Sequence, residues 1–230
     1  MARYRFSLII VLFFICTSLF PQVYDHPLLE QIDYMRTMKM LTDAGEDLYV
    51  NIDGTPFLND EFIQGTVALK SGDIYSGEFR YDIYADQVQF VAEGKIYCIA
   101  IPEETSFVKI GELQIKFLKY ADKKNISDGY LVTLVDGYYS LYAKLNKTLN
   151  SPVPEKPYQP AQPGKFVDKS EDYYIKVGEN PALRVRNKKD IVAMFPGKEK
   201  MAGEFIDSEG IKVNSRFDLV KLVSFLNSNE

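Results

Sequence analysis

Between residues 48 and 146, short runs rich in Val, Ile, Tyr and Phe are cut at close intervals by glycine-bearing dipeptides. That punctuation leaves room for little but hairpins. The runs fall at 48–52, 64–70, 73–84, 87–92, 95–101, 105–110, 113–120, 130–135 and 138–146. The breaks are Asp53-Gly54, Ser71-Gly72, Glu93-Gly94, Gly111-Glu112, Asp128-Gly129 and Asp136-Gly137. Glycine reaches positive φ without a steric penalty, which is what a tight strand-to-strand turn demands. The expected fold is therefore mainly β: an antiparallel meander, sandwich or barrel-like sheet, α+β overall once the flanking helices are counted. The glycine spacing is irregular, which argues against a solenoid or propeller of fixed period.

Some runs are apolar on both parities. Tyr97, Ile99 and Ile101 alternate with Ile96, Cys98 and Ala100, the pattern of a strand covered on both faces. In 73–84, by contrast, Glu78, Arg80 and Asp82 share one face opposite Phe79, Tyr81 and Ile83, so the charged side is expected to face water. Cys98, within an apolar run, reads as a buried, unreactive thiol.

Before the β-rich body, Arg3 and Arg5 precede an uncharged run from Ser7 to Phe20. As a helix, 14 residues span about 21 Å, short of the roughly 30 Å hydrocarbon core. A basic start and a short apolar run describe a secretory signal peptide over residues 1–22, with cleavage near Pro21 to Val23. Cys16 invites a lipoprotein reading, but Ile15 precedes it where a small residue is needed. Removing the leader takes the formal charge from -5 to -7 and leaves Cys98 alone, without a disulfide partner. No later stretch approaches a membrane span, so no transmembrane segment is expected in the exported chain.

The exported part, 23–230, is expected to form a single β-rich domain. A helical stripe runs from Pro27 to about Leu41 through Leu28, Ile32, Met35 and Met38. Five of the eleven prolines fall between Pro152 and Pro163, inside a biased segment at 147–170. That segment is either a linker or, as preferred here, a loop in a hairpin pairing 138–146 with 172–177. Beyond strands at 173–177 and 182–186, residues 187–230 form a small helical cap: Asn187 caps 188–195, a second helix at 198–207 stops at Gly210, and Ser215 caps 216–227.

Chemistry-bearing motifs are sparse. With one histidine and two cysteines, no cofactor, metal site or catalytic set emerges, and the acidic balance leaves no basic surplus for nucleic acid. His26 lies beside the leader, a poor place for a general base. Leu48 to Thr55 resembles the first motif of haloacid-dehalogenase-type phosphatases, but Asn51 stands where that family needs its nucleophilic Asp. Gly72 to Phe79 resembles one MORN-type repeat, and such repeats work only in stacked arrays. Asp82 and Asp86 form a conceivable glycosidase pair, although four strand residues separate carboxylates by about 13 Å, beyond the usual 5 to 9.5 Å. Asn125 and Asn146 head N-glycosylation acceptor triplets, relevant only in a eukaryotic secretory host.

The stretch from Gly65 to Phe90, the Tyr-Tyr strand, Ile191 to Lys198 and the closing Asp-Leu-Val-Lys-Leu-Val helix together resemble the uncharacterised secreted proteins of Bacteroidetes-type bacteria. The resemblance implies export to the periplasm, the cell envelope or the medium, and carries no activity. The expected role is a non-enzymatic envelope or secreted interaction protein. The alternatives are a small-ligand or glycan-binding β-barrel or sandwich, with tyrosines lining its cavity, and a carboxylate-dependent hydrolase. Expected partners are an envelope protein or a glycan, met through the tyrosines Tyr75, Tyr81, Tyr84, Tyr138 and Tyr142.

Overall fold

The computed structural model describes residues 51–123 and 125–229, together with Met40, Leu41 and Tyr49. The leader and most of the expected first helix lie outside them. That helix's last two positions, Met40–Leu41, form instead a two-residue strand, β1, against Tyr97 and Ile96. The expected strand at 48–52 shrinks to β2 (Ile52–Asp53), because Tyr49 and Asn51 lie in a turn and Asn51 takes a φ of 61°.

From there the chain is mainly β. Strands β3 (Ile63–Leu69), β4 (Ile74–Asp82), β5 (Gln87–Ala92), β6 (Lys95–Cys98), β7 (Thr105–Ile110) and β8 (Leu113–Asp122) form an antiparallel run in the order β6-β5-β4-β3-β7-β8. The remaining strands are β9 (Asn125–Val135), β10 (Tyr139–Asn150), β11 (Gly164–Val177) and β12 (Ala182–Arg184). Gly54, Gly72, Gly94 and Gly111 take the positive φ expected of them. Gly129 does not. The hairpin turns earlier, with Lys123 at φ 59°, and Gly129 lies inside β9.

The sheet is mixed, not purely antiparallel: β2 runs parallel to β11, and β12 runs parallel to β8. The second of these pairings closes a ring. β8 pairs with β9, β9 with β10, β10 with β11, β11 with β12, and β12 returns to β8 through Ala182–Tyr120 and Leu183–Ala121. Register fixes which side chains point inward. Tyr142 opposes Tyr174, Tyr174 opposes Arg184, and Ala182 opposes Tyr120. Buried Leu131, Tyr142, Tyr174 and Ala182, with Leu118 and Tyr120 packed against them, form a small core of their own, drawn from all five strands.

Residues of opposite parity, including Ile115, Tyr130, Val132, Leu141, Ala143 and Ile175, face outward into the main core. There they meet the inner face of the meander (Phe79, Tyr81, Val88, Phe90) and helices α1 (Lys188–Ala193), α2 (Glu199–Glu209) and α3 (Arg216–Ser228). The side chains of Asn187 and Ser215 cap α1 and α3, and Gly210 ends α2 at φ 62°. Among the described residues no helix is long and apolar enough to cross a membrane.

Asn227 fastens α3 to the start of β10: its amide nitrogen donates to the Tyr139 carbonyl at 2.9 Å and its oxygen accepts from the Tyr139 N–H at 3.1 Å. Asn227→Ala removes both partners at once and is expected to lower unfolding stability by about 1 to 3 kcal/mol, read as a drop in the urea midpoint at unchanged slope.

Candidate functional site

β10 and β11 continue far past the ring. Pairing runs from Tyr139–Val177 to Asn150–Lys165, with a register shift between Lys144 and Asn146, and resumes at Val153–Gln162 and Lys156–Gln159. The proline segment is thus the end of a hairpin. It is shorter than 147–170, because 147–150 and 164–170 are strand. β9 pairs with β10 only over Leu141–Ala143, Leu145 still packs against the main core, and from Asn150 outward the hairpin is an arm, roughly 23 Å long at strand rise. Its base is held by β2 against Gly164 and Lys165 and by an aromatic group in which Phe166 meets Tyr49 at 5.3 Å and Tyr84 at 5.2 Å.

Pro157 and Tyr158 form the two central positions of the terminal turn, closed by hydrogen bonds in both directions between Lys156 and Gln159. Proline fixes φ near -65°, which excludes the primed turns that suit two-residue hairpins. The positive φ then falls on the second position, and Tyr158 takes it, at 67°. A bulky residue there is strained by roughly 1 to 3 kcal/mol. Tyr158 is also fully exposed. An open, mainly apolar groove of about 650 Å³ lies just below, lined by Ile52, Leu149, Pro152, Pro154, Ala161 and Pro163 among others.

A second feature sits in the ring, below the arm. Asp86, in the β4–β5 turn at φ 54°, reaches over Gly129 to Lys144 inside the ring. The Lys144 ammonium lies 2.6 Å from Asp86 Oδ2 and donates to the Tyr130 carbonyl at 3.1 Å. The Tyr81 hydroxyl donates to Asp86 Oδ1 at 2.6 Å. Burial pushes the Lys144 pKa down and the Tyr81 pKa strongly up, and in Tyr81 the Asp86 charge adds to the effect. Beside this pair, Arg184 clamps Asp122 of β8, at 2.7 Å, and Asp172 of β11, while Arg186 also meets Asp122. Every charge here has a protein partner, so the arrangement ties the meander to the ring rather than offering an empty site.

Of the tyrosines expected to meet a partner, Tyr81 and Tyr142 are buried and present no face: Tyr81 lies in the main core and Tyr142 in the ring. Tyr75 is half-buried against the main core. Tyr84 and Tyr138 are exposed, in separate ring clusters, the first with Tyr49 and Phe166 and the second edge-on to Tyr139. Tyr158, absent from the sequence expectation, is the most exposed of all; the Pro-Tyr pair at the centre of the proline segment was its available signal.

On the charged face of β4, Glu78 is exposed as expected, but Arg80 and Asp82 are not. Residues 55–62 cover these two, and the Arg80 guanidinium lies 3.5 Å from the centre of the Phe57 ring and 4.3 Å from that of Phe62, while donating to Gln89 at 2.8 Å and to the Asp60 carbonyl at 3.0 Å. Asp82 is buried, accepting from the Ala85 N–H at 2.8 Å and the Tyr49 hydroxyl at 3.1 Å. Burial raises its pKa, against those hydrogen bonds and the Arg80 charge, and the Tyr49 pKa is pushed up to about 12, chiefly by burial and then by Asp82. Asp82 and Asp86 are therefore held by separate sets of donors. Among the described residues no three His, Cys, Asp or Glu side chains come together as metal ligands would. Compared with protein-family models, curated proteins and solved structures, the chain matches none.

Two outcomes follow from this geometry. A Cβ on Gly129 would sit 2.5 Å from Asp86 Oδ2 and 3.0 Å from Lys144 Nζ. Gly129→Ala is therefore expected to cost about 2 to 4 kcal/mol by breaking the pair, and much less in an Asp86→Ala background, a non-additivity that a double-mutant cycle in urea measures. For Asp82, a raised folded pKa means stability is fully present below the unfolded value of 3.8 and lost as pH rises through the folded one. Asp82→Asn should gain stability relative to the parent at pH 7, and that gain should vanish near pH 3.

Proposed function

We propose that the chain is an exported, non-enzymatic interaction protein of the cell envelope or its surroundings, and that the arm is its recognition element. Export rests on the basic start and the short apolar run from Ser7 to Phe20. Tyr158 carries the rest. A fully exposed aromatic held at positive φ on the end of a paired hairpin contributes nothing to the core and carries local strain. Backbone strain at an exposed position is characteristic of binding sites, and tyrosine supplies large, rigid contact area for a protein partner.

A glycan-binding face is the second reading, favoured by Tyr84, which is exposed at the base of the arm beside Phe166 and Tyr49. The same tyrosine type inside the ring serves another purpose, since that interior is filled by its own side chains.

Tyr158→Gly separates recognition from folding. Glycine accepts positive φ, so the variant should melt at or slightly above the parent temperature. In an affinity capture from detergent-solubilised envelope, read by mass spectrometry, it should lose the proteins that the parent retains. Capture unchanged by this substitution, with binding lost instead in Tyr84→Ala on a glycan array, would favour the second reading.

A further inference from the structure

Resting on the reading of the arm as a recognition element, we infer that its partner includes a second copy of this chain, bound arm to arm. The arm carries both halves of a contact. Tyr158 is a fully exposed knob, and the proline-lined groove is an open apolar hole. The nearest lining residues, Ala161 and Pro154, lie three and four residues from Tyr158, roughly 10 to 13 Å along the strand, and the full exposure of Tyr158 shows that it does not fill its own groove. A two-fold axis between antiparallel arms places each Tyr158 at the other copy's groove, and one such operation makes both contacts identical. The flat ring faces of Pro152, Pro154 and Pro163 suit an aromatic side chain, as in the stacking of aromatic and proline residues in extended-peptide recognition.

Charge agrees with this pairing. The tip carries Glu155 and Lys156, and the base of the groove carries Asp53 and Lys165, all exposed. Antiparallel arms bring the tip of one copy to the base of the other, where each end offers one acid and one base to opposite charges.

Sedimentation equilibrium of the full chain, expressed with its own leader and recovered from the cell, tests the inference. A reversible dimer is expected, with Tyr158→Ala and, separately, Ala161→Trp, which fills the groove, each weakening association by about 30-fold without moving the melting temperature measured at concentrations where the chain is monomeric. Mixing the two variants should restore association above either alone, because the pair retains one knob and one hole. A monomer at every concentration, or a dimer indifferent to both substitutions, overturns the inference. If the chain is monomeric yet captures another protein in a Tyr158-dependent way, only the choice of partner fails. If it is monomeric and captures nothing through Tyr158, the recognition reading fails with it.

Discussion

The closure of the ring by a three-residue strand is the constraint on which the rest of the structure depends. β12 contributes two pairs to β11 and two to β8, few by any measure, yet without them β8 and β11 are joined only the long way round, through β9 and β10. Arg184 reinforces the seam by holding Asp122 and Asp172, one on each strand that β12 joins. Removing one member of such a partly buried cluster leaves the others uncompensated, so the seam is held by mutual dependence more than by the value of any single ion pair.

Closure has two consequences. It divides the ring's side chains by parity, with tyrosines and leucines inward and the larger apolar set outward, where the meander and the helices bury it. It also fixes the direction in which β10 and β11 leave the ring. Held by β9 and β12 on either side and by β2 and Phe166 at the base, the two strands continue as a paired arm. The strain on Tyr158 is sustainable because the register beneath it is set so firmly.

Much of this order was legible from residue pattern. Apolar runs bounded by glycines that must take positive φ gave most of the strands, and Asn187, Gly210 and Ser215 marked helix ends through their capping chemistry. The errors share a physical cause: each involves a partner distant in sequence. Arg80 and Asp82 read as solvated because alternation reports which residues share a face, and not what irregular segment covers it. Gly129 read as a turn because Asp-Gly usually is one; its true role is to make room for Asp86 and Lys144, which come from elsewhere in the chain. A three-residue strand is too short to show a period, so the closing of the ring had no signature. The proline segment read as the loop of a hairpin, but its prolines gave no sign that pairing runs on into it as far as Lys156 and Gln159. Tyr158 was missed along with it.

The central claim is that the arm is an ordered device that holds Tyr158 in a defined strained pose. Nuclear magnetic resonance of the tip tests it most directly. The account predicts cross-strand contacts between Val153 and Gln162 and between Lys156 and Gln159, slowed amide exchange at those four positions, and a scalar coupling at Tyr158 that reports positive φ. Random-coil shifts and unprotected amides throughout 151–163 would contradict it.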